Sequence, residues 1–322
     1  MRPGTVVASR FVARTHTIGA TRTPLLALAV TAALLSPTDG AGARQSVELL
    51  VSADWLSERL DDPGVVVLHA DMRRDGYAAG HIPGAGWLDM TRLVWDGDAD
   101  WGTELRAPAE IEDALEVAGV SDGDHVVVYA DNPLYASRAF MTLEVMGLRG
   151  RVSMLDGGWG GWRQDGRAVS TTEPATERGD VSLRPRDDIV VSADWINERL
   201  DATGVALVDA RPDDEYTGAD GGLGGNAGHI PGAHQMYWEE LVESRPVPRV
   251  HDVDRLRRLF EAAGAETGDT VVAYCMVGWR ASFTYFTARM LGYDTKFYDG
   301  SWRDWGSRED LPYVLGASPR QR

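Results

Sequence analysis

The sequence predicts an α/β protein built twice over, each copy a mostly parallel sheet with helices on both faces. Three observations predict it. Short apolar runs alternate with amphipathic stretches of helical period. Those runs are apolar throughout rather than at every second position, as in strands covered on both sides. Several segments also occur twice in the same order, which marks a duplicated unit.

Each copy opens on Val-Ser-Ala-Asp-Trp, at Val51 and at Val191, and continues to Glu-Arg-Leu-Asp. Ser52 and Ser192 are the expected N-caps of a first helix. A short buried strand follows at Val65–Leu68 and Val205–Val208, then Gly-His-Ile-Pro-Gly-Ala from Gly80 and from Gly228. Next comes a helix rich in acids and alanine, Pro108–Ala118 and Val253–Ala263. A second buried strand (Val126–Tyr129, Thr270–Tyr274) leads into a helix (Ala136–Met146, Arg280–Leu291). A last strand (Val152–Leu155, Thr295–Tyr298) precedes the turns Asp156–Trp159 and Asp299–Trp302. The copies are expected over 46–170 and 188–316, and the Pro- and charge-rich stretch 171–187 reads as the linker.

Residues 1–43 stand apart. Arg2, Arg10, Arg14 and Arg22 precede an apolar run from Leu25 to Leu35, and Ala41-Gly42-Ala43 has the pattern of a signal peptidase site. The run is too short to span a bilayer, so the reading is a secretory signal and an exported protein, with no membrane span once the signal is removed. An Arg-rich transit peptide or a misassigned start codon are the alternatives. The net charge of −17 argues against nucleic acid as a partner, because phosphate binding needs clustered cations.

Cys275 is the one cysteine in the chain, so no internal disulfide explains it. It follows the strand Thr270–Tyr274 and precedes a short loop around Gly278, where a helix begins. Ligands of parallel sheets bind at such carboxyl ends. Backbone N–H groups and the positive end of a helix dipole there favour the thiolate. The bland alternative is a small buried hydrophobe. The catalytic reading requires a thiol that solvent can reach; a walled-off thiol would leave a duplicated fold and nothing more.

Taken together, the paired Gly-His-Ile-Pro-Gly-Ala turns, Asp209-Ala-Arg211 with Glu215-Tyr216, the Cys275 loop and Tyr298-Asp-Gly-Ser-Trp302 resemble the tandem rhodanese family of sulfurtransferases. The resemblance covers nearly all of the chain after the leader. It implies two rhodanese-like domains, the first without catalytic cysteine and the second with it; Ala130 stands where Cys275 does. Four residues separate Cys275 from Arg280, the sulfurtransferase loop size, one short of the phosphate-cradling loop of tyrosine phosphatases.

The resemblance implies a Cys275 persulfide that carries the sulfane sulfur of thiosulfate to cyanide or a thiol, releasing sulfite. The alternatives are a 3-mercaptopyruvate sulfurtransferase, or a persulfide carrier without efficient turnover. No cofactor is required, and the partners are a small anionic sulfur donor and a thiophilic acceptor. Backbone donors of Met276, Val277, Gly278, Trp279 and Arg280 would solvate the sulfur, with Gly278 bending the loop at positive φ. Arg280 either contacts the substrate anion or clamps the loop. Arg211 is expected at substrate or loop, Asp209 in a salt bridge supporting the strand end, and Trp279 either in the pocket wall or between domains. His81 and His229 occur in both copies and read as structural, and the remaining histidines show no metal-ligand spacing. Met276 and Val277 match neither the cations of thiosulfate-preferring members nor the small polar residues of mercaptopyruvate enzymes. Glu215 stands where some members carry a second arginine.

Overall fold

The computed structural model describes residues 48–94, 104–220, 225–243 and 247–320; the leader read from residues 1–43 lies outside them. In the first copy, strands β1 (Leu50–Val51), β2 (Val65–Asp71), β3 (Gly86–Asp89), β4 (His125–Tyr129) and β5 (Val152–Leu155) form one parallel sheet, ordered β1-β5-β4-β2-β3. Its helices are α1 (Ala53–Ser57), α2 (Asp75–Ala79), α3 (Thr91–Val94), α4 (Pro108–Val117), α5 (Pro133–Leu143) and α6 (Gly158–Gln164). The second copy repeats the plan. Helix α7 (Ala193–Asn197) precedes β6 (Val205–Asp209), α8 (Asp213–Thr217) and β7 (His234–Gln235). Then come α9 (Val253–Ala262), β8 (Thr270–Tyr274), α10 (Trp279–Leu291), β9 (Asp294–Phe297) and α11 (Ser301–Ser307). Its sheet runs β7-β6-β8-β9, again parallel.

Both faces of each sheet are covered, as the continuous apolar runs require. Alternate residues of a strand point to opposite faces. In β4, Val126 and Val128 join the cluster beneath α4 and α5, while Val127 and Tyr129 pack with Leu56, Trp159 and Trp162. In β8, Val271 and Ala273 belong with Cys275 to the first of these clusters, and Val272 and Tyr274 pack with Trp302 and Trp305. The N-caps fall as expected: Ser52 accepts from Trp55 N–H and Ser192 from Trp195 N–H, each at 3.1 Å.

The two copies share one core, because α5 and α10 pack together. Phe140 meets Phe286 edge-on at 4.9 Å between ring centres, and Ser137 Oγ lies 2.9 Å from Ser282 Oγ. Glu144, fully buried, accepts two hydrogen bonds from Arg289, each 2.9 Å, and one from Tyr285 at 2.8 Å. The backbone at Glu144–Leu148 widens into a π-turn, so α5 ends before the Met146 expected from sequence. The stretch 171–187 is irregular but not loose. Val181 is buried, Leu183 N–H donates to Glu112, and Arg184 N–H donates to the Met146 carbonyl.

Candidate active site

The carboxyl ends of β6 and β8 lie side by side, with Asp209 paired to Tyr274. The chain leaves β8 at Tyr274, turns through Cys275 to Gly278, and enters α10 at Trp279. Gly278 takes φ +93°, and a Cβ there would lie 2.9 Å from the Arg138 guanidinium; both the turn and the close approach demand glycine. With that bend the Gly278 N–H donates to Cys275 Sγ at 3.1 Å. The thirteen-residue α10 starts one residue later, so its positive end adds to the same field.

A second segment fixes the loop from below. Ser301 has φ +52°, a left-handed conformation that costs a non-glycine residue about 1–3 kcal/mol. Its Oγ accepts from Cys275 N–H at 3.2 Å and donates to the Tyr298 carbonyl at 2.9 Å. Trp302 N–H donates to the Cys275 carbonyl and Arg303 N–H to that of Met276. The first copy has Gly158 at φ +51° in the equivalent place, with Trp159 N–H on the Ala130 carbonyl. The turn is therefore common to both copies, and the serine belongs to the copy with the thiol. The segment Tyr298–Trp302 is visible in the sequence, but the positive φ that gives Ser301 its task is not.

Cys275 is 1% exposed. The sequence reading needs a thiol open to solvent, and here the structure differs. The thiol belongs to the core shared by the two copies, and the loop after it is little exposed: Met276 is buried, and Val277 and Trp279 are half-buried. Trp279 packs edge-on against Tyr135 of the first copy at 5.2 Å, which places it between the domains as well as in the loop.

The arginines around the loop are held by carboxylates. Arg280 grips Glu215 with two hydrogen bonds, 2.8 and 2.7 Å. Burial works against its charge, but Glu215 and the nearby Cys275 raise its pKa above the ordinary guanidinium value. Arg211, expected at substrate or loop, is fully buried. It binds Asp209 through Nε and Nη2, donates to the Gly228 carbonyl at 2.8 Å, and lies 4.7 Å over the Trp302 ring. It is a clamp between strand end and turn, and Asp209 is its salt-bridge partner. Arg138, from the first copy, donates to Asp299 at 2.6 Å, and Leu105 N–H reaches the other oxygen of that carboxylate at 3.0 Å. The first copy thus braces the Cys275 loop, through residues that sequence did not single out. Asp89, also in the first copy, accepts from Thr91, and Arg92 pairs with Asp113.

His81 and His229 serve alike in both copies. Each ring stacks on a tyrosine, Tyr77 or Tyr216, and each Nδ1 sits 2.9 Å from that tyrosine's carbonyl. The first copy's strand ends differ. His69 is paired with Tyr129 where Asp209 is paired with Tyr274, and Asp71 stands two residues on, where the second copy has Arg211. Burial lowers the His69 pKa to about 4, against the pull of Asp71. Spacing suggested no metal ligands, yet the fold brings ligand atoms of His69, Asp71 and Asp131 within 4.8 Å of one another.

Comparison with known proteins matches the rhodanese-like domain at residues 52–165 and 192–308. The chain is 34% identical over 289 residues to a sulfur carrier protein, TtuD, of Thermus thermophilus, covering 84% of this chain and 97% of the relative. It is 31% identical to a thiosulfate sulfurtransferase of Pseudomonas aeruginosa (82% and 96% covered) and 29% to a 3-mercaptopyruvate sulfurtransferase of Escherichia coli (83% and 98%). Among solved structures, an anaerobic ergothioneine biosynthesis enzyme from Chlorobium limicola, bound to its natural substrate trimethyl histidine, superposes with a TM-score of 0.74. That similarity is at 25% identity and covers 85% of this chain and 72% of the other.

Proposed function

This chain belongs to the rhodanese family, carrying its domain twice, and we propose that the second copy works as a persulfide carrier on Cys275. The thiolate attacks the sulfane sulfur of a donor; an S–S bond forms to Sγ, and the donor leaves with the electron pair of the bond it breaks. An acceptor thiol or other nucleophile then attacks the outer sulfur, and Cys275 leaves as thiolate again. The Gly278 N–H and the start of α10 stabilise the anionic sulfur in both steps. The persulfide extends the transferable sulfur about 2 Å beyond Sγ, so the group offered to an acceptor is the outer sulfur and not the thiol that is 1% exposed.

The observation that carries this reading is the doubly bonded Arg280–Glu215 pair. Arg280, Arg211 and Arg138 approach the loop, and Glu215, Asp209 and Asp299 match each of them. Among the described residues, a dianion such as thiosulfate meets these three arginines already paired and has to displace a carboxylate to reach one of them, whereas sulfur exchanged between thiols and persulfides need not. The 34% identity to a sulfur carrier protein supports the same choice. Thiosulfate or 3-mercaptopyruvate turnover is the second reading, favoured by the relatives of those names. Export, read from residues 1–43, belongs to the proposal too; a secreted product starting near Arg44 supports it, and a cytoplasmic product retaining the leader removes it.

The test loads the protein with an inorganic polysulfide, removes the donor and adds a thiol. The carrier reading expects complete transfer in one turnover, with slow steady-state thiocyanate formation from thiosulfate and cyanide. Steady turnover at the roughly 10 s⁻¹ of a typical enzyme hands the assignment to the second reading.

A further inference from the structure

We infer that the first copy has exchanged a sulfur site for a metal site: His69, Asp71 and Asp131 bind one divalent first-row transition ion, of which Zn²⁺ is the probe. The three residues occupy the carboxyl ends of β2 and β4, where the second copy keeps Asp209, Arg211 and Met276. There the buried strand-end charge is matched by an arginine. In the first copy the arginine is replaced by Asp71, so the ends carry two carboxylates and an imidazole.

His69 is fully buried, and neither ring nitrogen has a hydrogen-bond partner. A buried polar group left so costs about 1–3 kcal/mol and calls for an explanation. One ligand atom from each residue lies within 4.8 Å of the others, so the ring is aimed at the carboxylates. Among the described residues, neither Asp71 nor Asp131 forms a salt bridge; Asp71 accepts the Arg73 N–H at 3.2 Å. Asp131 is exposed and lies on the open side of the cluster. Gly76 stands where the second copy has Glu215, and a Cβ there would be 3.5 Å from Asp131 Oδ2. Gly76 therefore supplies no side chain where Glu215 lies in the other copy.

Metal–nitrogen and metal–oxygen bonds of about 2.0–2.2 Å keep two ligands within about 4.3 Å. Three such ligands around one ion lie about 3.4–3.8 Å from one another, so the cluster closes by about 1 Å, most readily at the exposed Asp131. One imidazole with two carboxylates suits zinc, manganese or iron(II) and disfavours calcium and magnesium, which take oxygen alone. Three protein ligands leave a position for water or an anion.

The test is calorimetric titration of the chelator-treated full chain with ZnCl₂, beside Co²⁺ absorption spectra. The inference expects one equivalent bound, a raised melting temperature, and a Co²⁺ spectrum without thiolate charge transfer. Cys275→Ser leaves all three unchanged. Asp131→Asn, at an exposed position that folding tolerates, weakens binding about tenfold or more, as does His69→Phe. Absence of stoichiometric binding, binding equal in Asp131→Asn, or binding lost in Cys275→Ser overturns the inference.

Discussion

The two copies share a frame and differ at its business end. Each stacks a histidine of the Gly-His-Ile-Pro-Gly turn on a tyrosine, and each hangs that turn's isoleucine N–H on the tyrosine that ends the central strand. Each also has a left-handed residue before the closing tryptophan. The strand ends diverge: Asp209, Arg211 and Cys275 in one copy, His69, Asp71 and Ala130 in the other. A scaffold held by aromatic packing and backbone hydrogen bonds survives replacement of the polar residues that it presents. The copy without the thiol is still not idle. Its Arg138 and Leu105 hold Asp299 beside the loop of its partner, so the pair works as one unit around one sulfur.

Removing one side of the second copy's buried clamp tests that contrast most severely. Arg211→Met leaves Asp209 uncompensated and should cost about 3–5 kcal/mol, read from urea unfolding. The double variant Asp209→Asn with Arg211→Met should recover part of it. A single variant as stable as the parent would mean that the strand ends are interchangeable. Gly278→Ala comes next. The positive φ costs about 1–3 kcal/mol, and the new methyl meets Arg138, so persulfide formation should slow by roughly tenfold to a hundredfold. Stopped-flow loading rates check this, and an unchanged rate would remove the bent loop from the account.

Glu215→Gln sharpens the comparison from the other side. It frees Arg280 of its carboxylate while keeping a hydrogen-bond acceptor, so KM for thiosulfate should fall about tenfold. Unchanged KM would mean that Arg280 does not meet the donor. The smallest effect concerns acid. Burial lowers the His125 pKa in the first copy, where the second copy has Thr270 in the same register. A histidine kept neutral by folding contributes stability that is fully present above its ordinary value of about 6.5 and is lost as pH falls from there through its lowered folded value. Protection factors of the β4 amides, with the acid slowing of intrinsic exchange divided out, should therefore fall below that pH, and His125→Thr should remove part of the change.

The layout was legible from residues because its signals are local. Apolar runs, Ser52 and Ser192 as caps, and the repeated turns needed no partner to be read. Strands β3 and β7 were missed because each is short and follows directly on a turn, with no apolar run to announce it. The Cys275 loop was legible in position but not in burial, since its thiol joins a core built from both copies. Glu215 was noted as a departure, yet its grip on Arg280 spans two elements. Arg138 lies in the other copy, beyond any local pattern. The His69, Asp71 and Asp131 cluster had a sequence signal in hindsight: laid over the repeat, His69-Ala70-Asp71 falls on Asp209-Ala210-Arg211.

Intact mass of the wild type and of Cys275→Ser after exposure to polysulfide reads the central claim most directly. The account predicts one added sulfur atom on the wild type, removed by thiol, and none on the variant. An unmodified wild type, or the same gain on the variant, would contradict it.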